Sequence, residues 1–145
     1  MNIVRLNISI KSNCEVIWGV LTNEKLFAEC FTKLSIKCDN WAIDSIIEFY
    51  VDNNKNCDKA LIKTFETNKC LSYEYYKHNS LNPILVSFKL SNKNNIVNVN
   101  LEGSNFINKR EYKHTIIAWK TMLNSLKKYT EEINNKKSDD KLAQF

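Results

Sequence analysis

Apolar and polar residues alternate at the start of the chain: Val4, Leu6, Ile8 and Ile10 are separated by Arg5, Asn7 and Ser9, with Ile3 ahead of them. A period of two is the pattern of a half-buried strand, here over residues 2–10. Ser12-Asn13-Cys14-Glu15 follows and reads as a capping box, with Ser12 accepting from the first free amides and Glu15 reaching back. It predicts a short helix to about Val20, with Val16, Ile17 and Val20 as its apolar face. Thr22 is placed to cap a second short helix from Glu24 to about Cys30, which would bury Leu26, Phe27 and Cys30.

From Leu34 to Leu101 the period of two returns. It predicts strands near 34–40, 45–52, 59–66, 70–77, 84–91 and 95–102, separated by short polar breaks at 52–56, 67–69, 78–80 and 92–95. Leu71, Tyr73 and Tyr75 share one face of their strand, and Ile84, Val86, Phe88 and Leu90 share one face of theirs. Near Asn108 the period changes again. Tyr112, Ile116, Trp119, Leu123, Leu126 and Ile133 fall at helical spacing and predict one amphipathic helix over 109–133, roughly 35–40 Å long.

The predicted order is strand, two short helices, about six strands and a long helix. That is an α+β chain whose curved antiparallel sheet must cover its apolar face. The long helix is the element large enough to do so, and a helix across a concave sheet leaves room for a ligand between them. Residues 1–135 form the domain in this reading, and residues 136–145 form a polar, mobile tail.

With 145 residues, 43% hydrophobic, the chain can bury a core without a metal or disulfide staple. Glycine occurs only at Gly19 and Gly103 and proline only at Pro83, so asparagine takes over the turns. The cysteines (Cys14, Cys30, Cys38, Cys57, Cys70) are odd in number and irregularly spaced, and no CxxC pair occurs. They read as free thiols in a reducing compartment, which places the protein in the cytoplasm. No signal-peptide core and no membrane-spanning run is present. The net charge is +5, with Lys127, Lys128, Lys136 and Lys137 near the C-terminus. Lys127 and Lys128 are the candidates for a basic surface that meets an acidic partner. The Lys residues are not interleaved with aromatics in the manner of a nucleic-acid binder.

His78 and His114 are isolated and read as surface residues, and no metal-ligand, phosphate-loop or nucleophile motif is present. No cofactor is expected. Cys14 lies near a predicted helix N-terminus, where a thiolate would be favoured, but no base accompanies it. Glu48, Glu66 and Glu74 lie on strands and are candidates to point inward. Without an acid–base pair the chain reads as a binding protein and not an enzyme. The candidates for a cavity are Phe49, Tyr73, Tyr75, Phe88, Trp119 and Leu123. Trp119 is the predicted anchor of helix to sheet.

Three stretches carry a family resemblance. Val16-Ile17-Trp18 leads to Leu21-Thr22 before a charged residue; Glu66 is followed by Leu71-Ser72-Tyr73-Glu74-Tyr75; and Trp119 is followed by Leu123 and Leu126. In this order the chain resembles the START-like (helix-grip, Bet v 1-like) superfamily, and within it the activator of Hsp90 ATPase homologue 1-like family, over residues 3–132. Asp44-Ser45 stands where that family commonly has a glycine pair. The resemblance implies a helix-grip fold, with six to seven antiparallel strands, two short helices after the first and the long helix across the concave face. It also implies an Hsp90-type chaperone as partner, whose ATPase the protein would stimulate as a co-chaperone. The alternative is a carrier or sensor of a small hydrophobic ligand between sheet and helix. An enclosed apolar cavity of several hundred Å³ would favour the carrier, and a filled core the co-chaperone.

Overall fold

The structure is a computed structural model that describes residues 2–52 and 56–143, with side chains as far as Lys136. Its elements in chain order are β1 (Val4–Ile10), α1 (Cys14–Thr22), α2 (Glu24–Cys30), β2 (Leu34–Lys37), β3 (Ile46–Val51), β4 (Cys57–Glu66), β5 (Cys70–Tyr76), β6 (Ile84–Lys93), β7 (Ile96–Ser104) and α3 (Lys109–Ala143). The strands form one antiparallel sheet in the order β1-β7-β6-β5-β4-β3-β2. All but β1 follow their sequence neighbours as a meander. The two short helices carry the chain from the edge strand β1 to the opposite edge, β2. This is the α+β architecture that the hydrophobic pattern predicts.

The turns show how a chain with two glycines makes hairpins. Five of the eight described residues with positive φ are asparagines: Asn68, Asn79, Asn94, Asn95 and Asn105. Asn tolerates the left-handed region because its short polar side chain can bond locally. Asn94 and Asn95 (φ 54° and 62°) form a two-residue turn between Lys93 and Ile96, so β6 and β7 extend closer together than the polar break suggests. Asp44 has φ 71°, a conformation that glycine adopts freely and that Asp tolerates through its short polar side chain. Of the predicted break at 52–56, residues 53–55 lie outside the described residues.

Both predicted helix caps are displaced by one residue. Asn13, extended at φ −124°, accepts from the Val16 amide at 2.9 Å, whereas Ser12 is buried and its hydroxyl has no partner among the described residues. Asn23 likewise accepts from the Leu26 amide at 3.0 Å, and the Thr22 hydroxyl donates back to the Trp18 carbonyl. In each case the asparagine is the last residue in extended conformation, and its carboxamide reaches the N3 amide. The long helix also exceeds its predicted end near 133 and continues to Ala143. No glycine or proline occurs beyond Gly103 to stop it. Phe145 lies outside the described residues, as does the side chain of Leu142.

The core joins the concave sheet face to the helices. Ile10, Ile17, Val20, Val97, Val99, Leu101 and Leu126 are almost completely buried. The later part of α3 is tied to the end of β1 and to α2. The Lys127 ammonium donates to the Ser9 carbonyl at 2.7 Å, Glu131 accepts the Lys11 amide at 2.9 Å, and the Tyr129 hydroxyl donates to Glu29 at 2.7 Å. With α3 held at this side, its earlier part spans the opposite half of the sheet, where a space remains.

Candidate functional site

That space is a cavity of about 480 Å³, within the range of small-molecule sites. Its floor comes from strand register. Leu71 pairs with Phe88, Tyr73 with Val86 and Tyr75 with Ile84 across β5 and β6, and all six side chains line the cavity. Ile47 and Phe49 of β3 extend the floor, and Phe27, Phe31 and Ile36 close the side at α2 and β2. The roof is a stripe of α3 at helical spacing, Thr115, Ala118, Trp119, Met122 and Ser125. Thr32, Lys77, His114, Ala118 and Thr121 are the exposed members of the lining and mark its mouth.

The floor is a connected aromatic cluster. Phe49 lies 5.2 Å from Tyr75 and 5.9 Å from Tyr73 between ring centroids, and Tyr73 lies 6.4 Å from Phe88. These are the separations of tilted and edge-to-face pairs. Trp119 lines the cavity from above, its ring edge over the backbone of Gly103 in β7.

Four hydroxyls of the lining make no hydrogen bond among the described residues, those of Thr32 and Ser125 toward its rim and those of Tyr73 and Thr115. Burial pushes the Tyr73 phenol well above its ordinary range, so it is neutral, and it makes no hydrogen bond. Thr115 is buried and also unbonded, unlike Thr22, Thr121 and Thr130, whose hydroxyls all donate to the carbonyl four residues back. Tyr75 differs from Tyr73: its hydroxyl donates to Asp58 at 2.5 Å, and burial followed by that bond raises its phenol. Tyr73 and Thr115 therefore remain available to a ligand, as donors or acceptors.

Five of the six predicted cavity residues line it: Phe49, Tyr73, Tyr75, Phe88 and Trp119. Leu123 does not; it is buried in the core beside the cavity stripe. Glu48, Glu66 and Glu74 are outside the lining, because inward-facing neighbours such as Phe49 and Tyr73 turn Glu48 and Glu74 to the convex face. Glu48 there accepts from the Tyr50 hydroxyl, Glu74 pairs with Lys63, and Glu66 is exposed. Of the basic candidates, Lys128 is exposed, while Lys127 is held by Ser9 and by Glu131 at 2.8 Å. His78 is exposed; His114 is exposed as well, but it stands at the cavity mouth. Burial raises the Cys14 thiol, opposite to the shift expected from a helix N-terminus, and holds Cys30 up at about 12. All five cysteines are free thiols. Among the described residues no group of three His, Cys, Asp or Glu side chains is placed to hold a metal, and no helix is long and apolar enough to cross a membrane.

No family model matches the chain, and no curated protein matches it in sequence. Solved structures do match. The Aha1 dimer from Colwellia psychrerythraea superposes with TM-score 0.76 at 21% identity, over 90% of this chain and 97% of that one. ChR145 from Cytophaga hutchinsonii superposes with TM-score 0.75 at 26% identity, over 95% of this chain and 97% of that one. DynU16, from the dynemicin biosynthetic locus, matches at TM-score 0.75 and 16% identity over 90% of this chain, which spans 48% of DynU16. The chain thus has the α+β helix-grip fold that the Aha1 protein shares.

Proposed function

We propose that the protein is a non-catalytic carrier or sensor of a small hydrophobic ligand held between the sheet and α3. One observation carries this reading: a cavity of about 480 Å³ with an aromatic floor, in which the hydroxyls of Tyr73 and Thr115 have no partner. A filled core would have removed the space, and both hydroxyls border it, where a ligand or water can meet them. Phe49, Tyr73, Tyr75, Phe88 and Trp119 make the apolar walls. A cytoplasmic location suits the five free thiols. Native mass spectrometry of the purified protein tests the reading. One small organic molecule should be bound per chain and lost on solvent extraction. A bare chain that also fails to take up an apolar fluorescent probe would contradict it.

A second reading is favoured by the likeness to the Aha1 dimer and by the sequence resemblance: a co-chaperone that stimulates an Hsp90-type ATPase. Lys128 is its basic contact candidate, since Lys127 is already engaged. Titrating purified Hsp90 with this protein decides it. Saturable stimulation of the ATPase supports the co-chaperone; no stimulation and no binding heat removes it.

A further inference from the structure

The cavity has a polarity along its length that the carrier reading leaves unspecified. Among the described residues no carboxylate lines it, and apart from tyrosines its titratable side chains are Lys77 and His114, both at the mouth. They come together because the residue after β5 meets the first turns of α3. The Lys77 ammonium lies 3.1 Å from Glu111, and His114 is one helical turn beyond Glu111 on the same side as Thr115. Lys77 is half exposed, whereas the Glu111 side chain is 11% exposed.

Glu111 has its own place in the fold. Its other oxygen accepts the Ile107 amide at 3.1 Å, and its amide donates to Asn108 at 2.9 Å, so it closes the N-terminus of α3. Lys77 spends one of three N–H donors on it and keeps the others for a second anion. Other charges near this end include Lys59, opposite Tyr76 in the sheet, Lys109, Arg110 and Lys113, exposed on α3, and Asp58, which is engaged by the Tyr75 hydroxyl and the His78 amide. The mouth is thus positive on balance, and the floor beyond it is aromatic.

On the carrier reading, we infer that the ligand is an amphipathic organic anion: an apolar, ring-sized body on the Phe49–Tyr73–Phe88 floor, with a carboxylate or sulfonate at the mouth held by Lys77 beside His114. Glu111 competes with this head for Lys77. The two residues therefore act in opposite directions on anion binding, although they act together on the fold.

Two fluorescent probes with one ring system separate these roles: 8-anilinonaphthalene-1-sulfonate and its uncharged parent, N-phenyl-1-naphthylamine. Lys77→Met should weaken the sulfonate probe about tenfold, the scale of one charge-assisted contact, and change the neutral probe less than twofold. Glu111→Gln should tighten the sulfonate probe several-fold and leave the neutral probe unchanged. The inference is overturned if both substitutions shift both probes in the same direction, which is the signature of a structural latch, or if neither moves the sulfonate probe. A wild-type protein that binds the neutral probe alone removes the anionic end and leaves the carrier intact. One that binds neither probe removes the carrier reading itself.

Discussion

Trp119 occupies the space where a side chain at Gly103 would be: a Cβ on Gly103 would lie 2.4 Å from Cη2 and 2.5 Å from Cζ3 of the indole. Gly103 sits between Val4 of β1 and Val86 of β6, so this contact fixes how closely α3 approaches the sheet. Glycine is required here for its missing side chain and not for its backbone, since no described glycine has positive φ.

Gly103→Ala should therefore cost about 1–3 kcal/mol through overpacking, and push the indole toward the cavity. Trp119→Ala should cost about 3 kcal/mol, the low end for a buried aromatic, because Trp119 already borders open space. The two are coupled. In a Trp119→Leu background, Gly103→Ala should become nearly neutral, and chemical denaturation of the four proteins measures the difference. Strict additivity would show that the contact does not hold α3.

Tyr73 and Tyr75 are neighbours on one strand with opposite expected responses. Tyr73→Phe removes a hydroxyl with no protein partner, and should leave the empty protein equally stable or up to about 1 kcal/mol more stable. Tyr75→Phe removes the bond to Asp58 and should cost about 1–2 kcal/mol. Thermal unfolding of both variants separates them, and a larger loss for Tyr73→Phe would mean that its hydroxyl is bonded within the protein.

The acid limb of stability should report Glu131. Its carboxyl is held below the ordinary 4.5, first by the Lys11 amide and then by Lys127. A lowered folded pKa stabilises above the unfolded value, and that contribution is lost as pH falls below about 4.5 through the folded value. Glu131→Gln should accordingly be less stable than wild type at neutral pH and converge on it in acid. An equal gap at all pH values would show that Glu131 acts through packing and not through charge.

The fold was legible because its periods are clean. Leu71, Tyr73 and Tyr75 opposite Ile84, Val86 and Phe88 need no long-range information beyond the pairing of two consecutive strands. The cavity roof was legible only in part. Helical spacing places Trp119 correctly, but it cannot set the phase of the stripe. It favours Ile116 and Leu123 for their apolarity, whereas the cavity takes Thr115 and Met122, one residue earlier. The mouth could not be read at all. Lys77 and Glu111 are 34 positions apart, and only the seating of α3 over β5 brings them together. The caps failed for a simpler reason: Ser-Asn and Thr-Asn each offer two capping residues in a row, and backbone conformation chooses between them.

The most direct test of a ligand cavity is to fill it. Ala118 lines the mouth from an exposed position on α3, so Ala118→Trp can place an indole in the opening at a helix-propensity cost of about 0.5 kcal/mol. The measurement is a fluorescence titration of N-phenyl-1-naphthylamine into wild type and Ala118→Trp, with thermal unfolding of both. The account predicts saturable one-to-one binding to wild type, at least tenfold weaker binding to the variant, and a nearly unchanged melting temperature. Equal binding to both proteins, or no saturable binding to either, would contradict it.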